Sequence, residues 1–251
     1  MYAWKCWRES RASFIFLLML STAPALLATL GPGLKERNGW WYFDRSEYTH
    51  DPALMAHLVS VMILTVLLFS PILSAVFLGA TASGGEIESG TIEYLWTRPR
   101  TRASVTWTHW GVCLTEMVII AVVPAYLAAA LLGTLTRNWN MPLLLIAPWI
   151  MLIAGVPMLG LTTLMTALRR SAKGGLIYTA AVGSAYLILR QIVTVPLHVN
   201  LPALFAGPLV WLVTNNQPYA VAFPWGSLWR AVFLAAVFPL AALYLLKRAE
   251  V

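Results

Sequence analysis

Charge is what this chain has least of. Asp, Glu, Lys and Arg make up 11% of its 251 residues, against about 25% in an ordinary soluble domain. So small a share cannot cover a soluble surface, and the apolar runs are too long for buried core strands. Cysteine is nearly absent. Cys6 sits in the basic N-terminal segment and Cys113 in an apolar run, which gives neither a disulfide framework nor metal-ligand spacing. The histidines are scattered: His50 in a polar loop, with His57, His109 and His198 each reading as an interface or loop residue. No Gly-rich turn ends in Gly-Lys-Ser or Gly-Lys-Thr, so the chain lacks a phosphate-binding loop. Gly174 and Gly175 follow Lys173, which is the wrong order. No serine, histidine and acidic residue form a recognisable nucleophile arrangement. These absences leave no catalytic, cofactor or metal site to assign within the chain.

What is present is a succession of apolar runs, and 59% of the residues are hydrophobic. The first run spans Ala12 to Leu30 and stops at Gly31-Pro32-Gly33. Lys5, Arg8 and Arg11 precede it, as in a signal peptide, but the run is long for that role and further spans follow. It reads as a retained helix. The loop from Leu34 to Pro52 is the most polar region, and its Trp40, Trp41, Tyr42 and Tyr48 suit a membrane interface. The second span runs from Leu54 to Ala80, with a bend expected at Pro71. The third runs from Val105 to Leu132 and the fourth from Leu143 to Leu168, with Pro148 and Pro157 inside it. The fifth goes from Lys173 to Val195 and the last from Leu228 to Leu246.

Between the last two, residues 192–226 are apolar but broken by Pro196, Pro202, Pro208, Pro218 and Pro224. This stretch reads either as an extra span from Leu201 to Val213 or as short helices dipping into the outer leaflet. The prolines favour the short helices, because an uninterrupted span needs about 20 residues. The expected fold is an all-α integral membrane protein of six transmembrane helices, forming a single transmembrane domain over residues 1–251.

The net charge of +7 invites a nucleic-acid reading. The basic residues, however, lie in short clusters between spans and are not gathered on one folded face. Their distribution predicts topology instead. Lys5, Arg8, Arg11, Arg98, Arg100, Arg102, Arg169, Arg170, Lys173, Lys247 and Arg248 fall on one side of a six-span arrangement. Only Lys35, Arg37, Arg45 and Arg137 fall on the other. The positive-inside rule then puts both termini in the cytoplasm. Arg190 and Arg230 reach the outer interface from helix ends. Residues 1–11 read as a cytoplasmic interface segment.

Two features fall outside simple span architecture. Glu116 is the one acidic residue well inside a predicted span, near mid-membrane. A carboxylate there is expensive and needs a polar partner or water, whether it packs the bundle or lines a pathway. The other feature is the segment 83–102, which opens with small residues and carboxylates and closes with arginines. Ile92, Leu95 and Trp96 are spaced to share one helix face. Glu93 suits a first turn, and Pro99 ends the helix. The expectation is a short amphipathic helix on the inner membrane surface, serving either as an anchor or as a docking element whose apolar face fills a groove while its charged rim sets the register.

The order Glu86-x-Glu88-x-Gly90-Thr91-x-Glu93-x-Leu95, then Thr97-x-Pro99-x-Thr101-Arg102, resembles the signature after the second span of ABC-2 type transporter permeases. A looser likeness covers the whole chain: an N-terminal interface segment, six spans and a broken outer region before the last. The resemblance implies a coupling helix in which Glu86, Glu88, Gly90, Thr91, Ile92, Glu93, Leu95, Trp96, Arg98, Pro99 and Arg102 contact a cytoplasmic ABC ATPase dimer. It implies that ATP and Mg are bound by that ATPase and none by this chain. It further implies a second permease chain, membrane lipid around both, and a bacterial or archaeal plasma membrane. The function implied is the membrane-spanning half of an ATP-driven exporter. A secondary transporter, a membrane enzyme or a structural subunit of a membrane complex stays open as the alternative.

Overall fold

The computed structural model describes residues 2–31, 34–37, 40–44, 70–81, 102–135, 141–197 and 225–248. Helix α1, Tyr2–Leu30, takes 29 residues without a break. At 1.5 Å per residue that is about 44 Å, longer than the ~30 Å apolar core of a bilayer. The boundary expected near Ala12, between an interface segment and a span, is a change of composition inside one helix. The helix ends at Leu30, just before Gly31-Pro32-Gly33, as glycine and proline dictate.

An antiparallel pair follows. Strand β1, Leu34–Arg37, pairs with β2, Trp40–Phe43, with Leu34 opposite Phe43 and Arg37 opposite Trp40. Only Asn38-Gly39 lies between the strands, the dipeptide favoured in two-residue hairpin turns. Lys35 and Asp44 add an ion pair at 3.3 Å. The polar loop anticipated at 34–52 therefore begins as a hairpin.

The remaining helices are α2, Ser70–Thr81, α3, Arg102–Leu135, α4, Met141–Arg169, α5, Ala172–Leu197, and α6, Trp225–Arg248. Among the described residues four stretches are long and apolar enough to cross a membrane: Ala3–Leu27, Ser104–Leu131, Pro148–Arg169 and Leu228–Leu245. They lie in α1, α3, α4 and α6, and they give the chain the build of a helical membrane protein. Of the broken segment 192–226, the first residues continue α5 to Leu197 and the last two open α6. Residues 198–224 lie outside the described residues, as does the part of the second span before Ser70.

Contacts along the helices fix their directions. Ser10 meets Glu116 and Ser21 meets Ile120, so α1 and α3 run the same way. The Leu78 carbonyl meets Cys113 while Ser70 meets Ile120, so α2 opposes α3. Met117 reaches Gly155 and Tyr126 reaches Trp149, so α4 opposes α3. Thr166 packs on Gly175 and Met158 lies near Gly183, so α5 opposes α4. Gly160 packs on Phe238 and Pro239 while Ala167 packs with Ala242, so α6 runs with α4. Successive helices thus alternate in direction. The starts of α1, α3 and α5 and the ends of α2, α4 and α6 share one end of the bundle. By position that end collects Lys5, Arg8 and Arg11, then Arg102, then Arg169, Arg170 and Lys173, and finally Lys247 and Arg248.

Helix α4 is the hub. Lipid tails are as apolar as leucine, so membrane helices associate through close packing and buried polar contacts. A side chain at Gly79 of α2 would start 2.8 Å from the Leu159 carbonyl and 2.9 Å from Thr162 Cβ. Gly155 abuts Met117 and Pro71, and Gly160 abuts Phe238 and Pro239. The absence of side chains at these positions lets α2, α3 and α6 approach α4. Leu17, Leu78, Met117, Ile120 and Leu159 fill the centre of the bundle.

The turn from α4 to α5 is only two residues long, and both are specialised. Arg170 takes the left-handed backbone conformation at φ 51°, the usual way to end a helix. Ser171 caps α5, its hydroxyl accepting from the Gly174 N–H at 3.3 Å while its carbonyl accepts from the Gly175 N–H at 2.9 Å. The Arg169 guanidinium stacks on the Tyr178 ring at 3.7 Å, binding the two helix ends.

Candidate functional site

Of the predicted coupling residues, Arg102 is the first residue of α3. Glu86, Glu88, Gly90, Thr91, Ile92, Glu93, Leu95, Trp96, Arg98 and Pro99 lie outside the described residues. The two points from which the segment departs are fixed nonetheless. Thr81 is the last described residue of α2 and Arg102 opens α3, both at the basic end of the bundle.

The polar chemistry that the structure does bring together lies between α1 and α3. Every fourth residue of α3 turns inward: Val105, His109, Cys113 and Met117 are buried, with Glu116 beside Met117. That is the stripe a helix presents to a neighbour. The facing stripe of α1 holds Cys6, Ser10, Leu17 and Ser21. Glu116 is 2% exposed and Ser10 is 5% exposed. The Ser10 hydroxyl donates to Glu116 Oε1 at 2.5 Å, across 106 residues of sequence. Glu116 Oε2 is buried and has no hydrogen-bond partner among the described residues. Nearby, the Cys113 thiol donates to the Leu78 carbonyl at 3.4 Å. Higher in the seam the Ser21 and Ser70 hydroxyls each lie 3.4 Å from the Ile120 carbonyl.

The polar partner that Glu116 requires is therefore Ser10. Ser10 is flanked by Arg8, Glu9 and Arg11, all exposed. The carboxyl consequently sits level with the charged turns of α1, and not beside the middle of that helix's apolar run. Lys5 and Glu9 pair along the outer face of the same turns at 3.6 Å, and the Trp4 and Trp7 rings pack together with centroids 4.9 Å apart.

Other residues fall differently from the sequence reading. His109 is buried within α3, not in a loop. Trp149 lies on the outside of the described bundle, where its indole N–H donates to the Tyr126 hydroxyl at 2.7 Å and that hydroxyl donates to the Leu145 carbonyl at 3.2 Å. Arg230 is exposed in the second turn of α6. Among the described residues no group of three or more His, Cys, Asp or Glu side chains is arranged to hold a metal ion. Ser10 and Cys6 were not identified from the sequence. Their four-residue spacing is the one local sign of a shared face, and it continues to Phe14, Leu17 and Leu18, which pack on the same core. Comparison of the chain with protein-family models, with curated proteins and with solved structures finds no match.

Proposed function

We propose that this chain is the membrane-spanning subunit of an ATP-driven exporter of the ABC-2 type, with ATP hydrolysed by separate cytoplasmic subunits. The observation that carries this reading is the ordered set Glu86, Glu88, Gly90, Thr91, Glu93, Pro99 and Arg102 in the connection between α2 and α3. Two features support it. The connection leaves and re-enters the bundle at the end where the basic clusters gather, which the positive-inside rule assigns to the cytoplasm. The chain also has no phosphate-binding loop, so in this reading ATP is hydrolysed by a partner.

In this reading six helices span the membrane and both termini are cytoplasmic. Residues 86–102 form the contact with the ATPase. Ile92, Leu95 and Trp96 provide an apolar face that enters a groove, and Glu88, Glu93 and Arg98 set the register around it. Two such chains flank the cargo path, and the ATPase dimer carries ATP and Mg.

The test pairs two measurements on one set of purified proteins: capture of an ABC-type ATPase from the native membrane, and ATP hydrolysis by the captured complex in liposomes. Replacing Leu95 with aspartate places an unpaired charge in an apolar contact, which costs several kcal/mol. Capture and hydrolysis are expected to fall while the chain stays in the membrane. If the wild-type chain captures no ATPase, the exporter reading is wrong and the transporter, enzyme or structural-subunit alternatives take its place. If it captures one and the Leu95→Asp chain does so equally well, the segment is an anchor and the contact lies elsewhere.

A further inference from the structure

We propose that the Ser10–Glu116 contact is a reversible latch, which holds the N-terminal turns of α1 against α3 and releases them as a unit. The inference stands on the described residues and is independent of the exporter reading.

The Ser10 hydroxyl has one hydrogen and three acceptors within reach. Glu116 Oε1 is at 2.5 Å, the Cys6 carbonyl at 3.1 Å and the Trp7 carbonyl at 3.2 Å. A serine inside a helix can turn its hydrogen back onto the preceding turn. When α1 leaves α3, Ser10 therefore keeps a hydrogen bond within its own helix, and the α1 side of the contact opens without stranding a donor.

On the α3 side the closed state is incompletely satisfied. Glu116 Oε1 is bonded, but Oε2 is enclosed with no partner among the described residues. A buried polar atom without a partner costs free energy that contact with water recovers. Water is close at hand, because Arg8, Glu9 and Arg11 are exposed within a turn of Ser10. Closing gains the Ser10 bond and the burial of Cys6, while opening hydrates both carboxyl oxygens. Opposed terms of this kind let a contact exchange between two states.

The remainder of the seam is of another kind. Above Ser10 the helices meet through Phe14, Leu17 and Leu18 against Met117 and Ile120, apolar packing that gains nothing from water. Because α1 is unbroken from Tyr2 to Leu30, its N-terminal turns part from α3 by a tilt of the whole helix about this upper seam. The only two cysteines of the chain lie in the part that opens, Cys6 on α1 and Cys113 on α3, both buried and neither in a disulfide. They are built-in reporters of the movement.

The experiment follows thiol alkylation by N-ethylmaleimide in the full chain, purified and reconstituted in lipid. Cys6 is read in a Cys113→Ala background and Cys113 in a Cys6→Ala background. With Ser10 and Glu116 intact, both thiols are expected to react slowly, each at its own rate. A cysteine introduced at Ala154, buried in α4, should stay unreactive. Ser10→Ala removes the latch and is expected to raise both rates about tenfold or more, by raising the population of the open state. Ser10→Thr keeps the hydroxyl and should restore slow labelling. Acceleration of the two thiols by clearly different factors in Ser10→Ala would overturn the proposal, as would wild-type rates for both. Equal acceleration by Ser10→Ala and Ser10→Thr would also overturn it, because packing and not the hydrogen bond would then hold the turns. In the intact chain warming should raise both rates by the same factor, because one opening limits both, and unequal factors would overturn the proposal even if Ser10→Ala does not fold.

Discussion

Replacing Gly79 with alanine should loosen the centre of the bundle, and the cost can be worked from two distances. The new Cβ would start 2.8 Å from the Leu159 carbonyl oxygen and 2.9 Å from Thr162 Cβ. Carbon atoms are comfortable at about 3.5–4.0 Å, so the two helices would have to part by roughly 0.6 Å or more. Neither neighbour can swing aside: one is main chain and the other is the root of a side chain on the same rigid helix. Leu159, Thr162 and Leu78 are fully buried around the spot, and parting α2 from α4 weakens each of their contacts. Overpacking of this kind costs about 1–3 kcal/mol. Alanine's better helix propensity returns about 1 kcal/mol, leaving a net loss of up to about 2 kcal/mol.

Gly155 offers a milder case. Its nearest neighbour, Met117 Cε at 2.9 Å, is the end of a flexible side chain, with Pro71 Cβ next at 3.1 Å. Gly111, on the exposed face of α3, has nothing within 4 Å, so alanine there should be neutral or slightly stabilising. Unfolding by SDS in mixed micelles, followed by helical circular dichroism, should rank the variants Gly79→Ala, Gly155→Ala, Gly111→Ala from least to most stable. Equal stability of the Gly79 and Gly111 variants would show that close approach of α2 to α4 does not hold the bundle together.

The turn between α4 and α5 gives opposite signs at adjacent residues. Arg170→Gly relieves a left-handed backbone and should stabilise by up to about 1 kcal/mol, whereas Ser171→Ala removes a cap and should cost about 1 kcal/mol in the same unfolding assay. Cysteines placed near Lys5 and near Lys247, with Cys6 and Cys113 replaced by alanine, should react with an impermeant maleimide in inverted vesicles and stay silent in intact cells. Labelling of either from outside would remove the cytoplasmic assignment of the termini.

Legibility in the sequence followed the range of the interactions involved. Helices α3 to α6 were visible because each is a long apolar run, and that property is local. The hairpin was missed although Asn38-Gly39 announces it, because Lys35-Glu36-Arg37 lacks the apolar alternation by which a strand is usually recognised. The continuity of α1 was hidden for a related reason. Lys5, Arg8, Glu9 and Arg11 look like a separate surface segment, yet no glycine or proline separates them from Ala12, and the burial of Cys6 and Ser10 shows why the helix runs through. Glu116 could be flagged as needing a partner, but nothing local identifies a serine 106 residues away.

Two independent lines nevertheless converge on one end of the molecule. The contacts of Ser10 with Glu116, of Leu78 with Cys113 and of Gly160 with Pro239 involve no cationic side chain. With the contacts of Ser21 and Ser70 with Ile120, of Met117 with Gly155, of Tyr126 with Trp149, of Thr166 with Gly175 and of Met158 with Gly183, they set the alternation of the helices, and hence which helix ends lie together. The basic residues collect by position at the ends so grouped. Close packing is indifferent to orientation, since the bundle would fit together identically if inverted in the bilayer. Charge removes that indifference. Cationic side chains are retained on the cytoplasmic side during insertion, and each cluster acts at the end of its own span. Helix direction and charge placement are thus set by different forces, one by dispersion between close surfaces and the other by the asymmetry of insertion. They agree at Arg11, Arg102, Arg169 and Lys247, which lie by position at one end of the bundle, the end where α3 opens after the connection carrying Glu86 to Pro99.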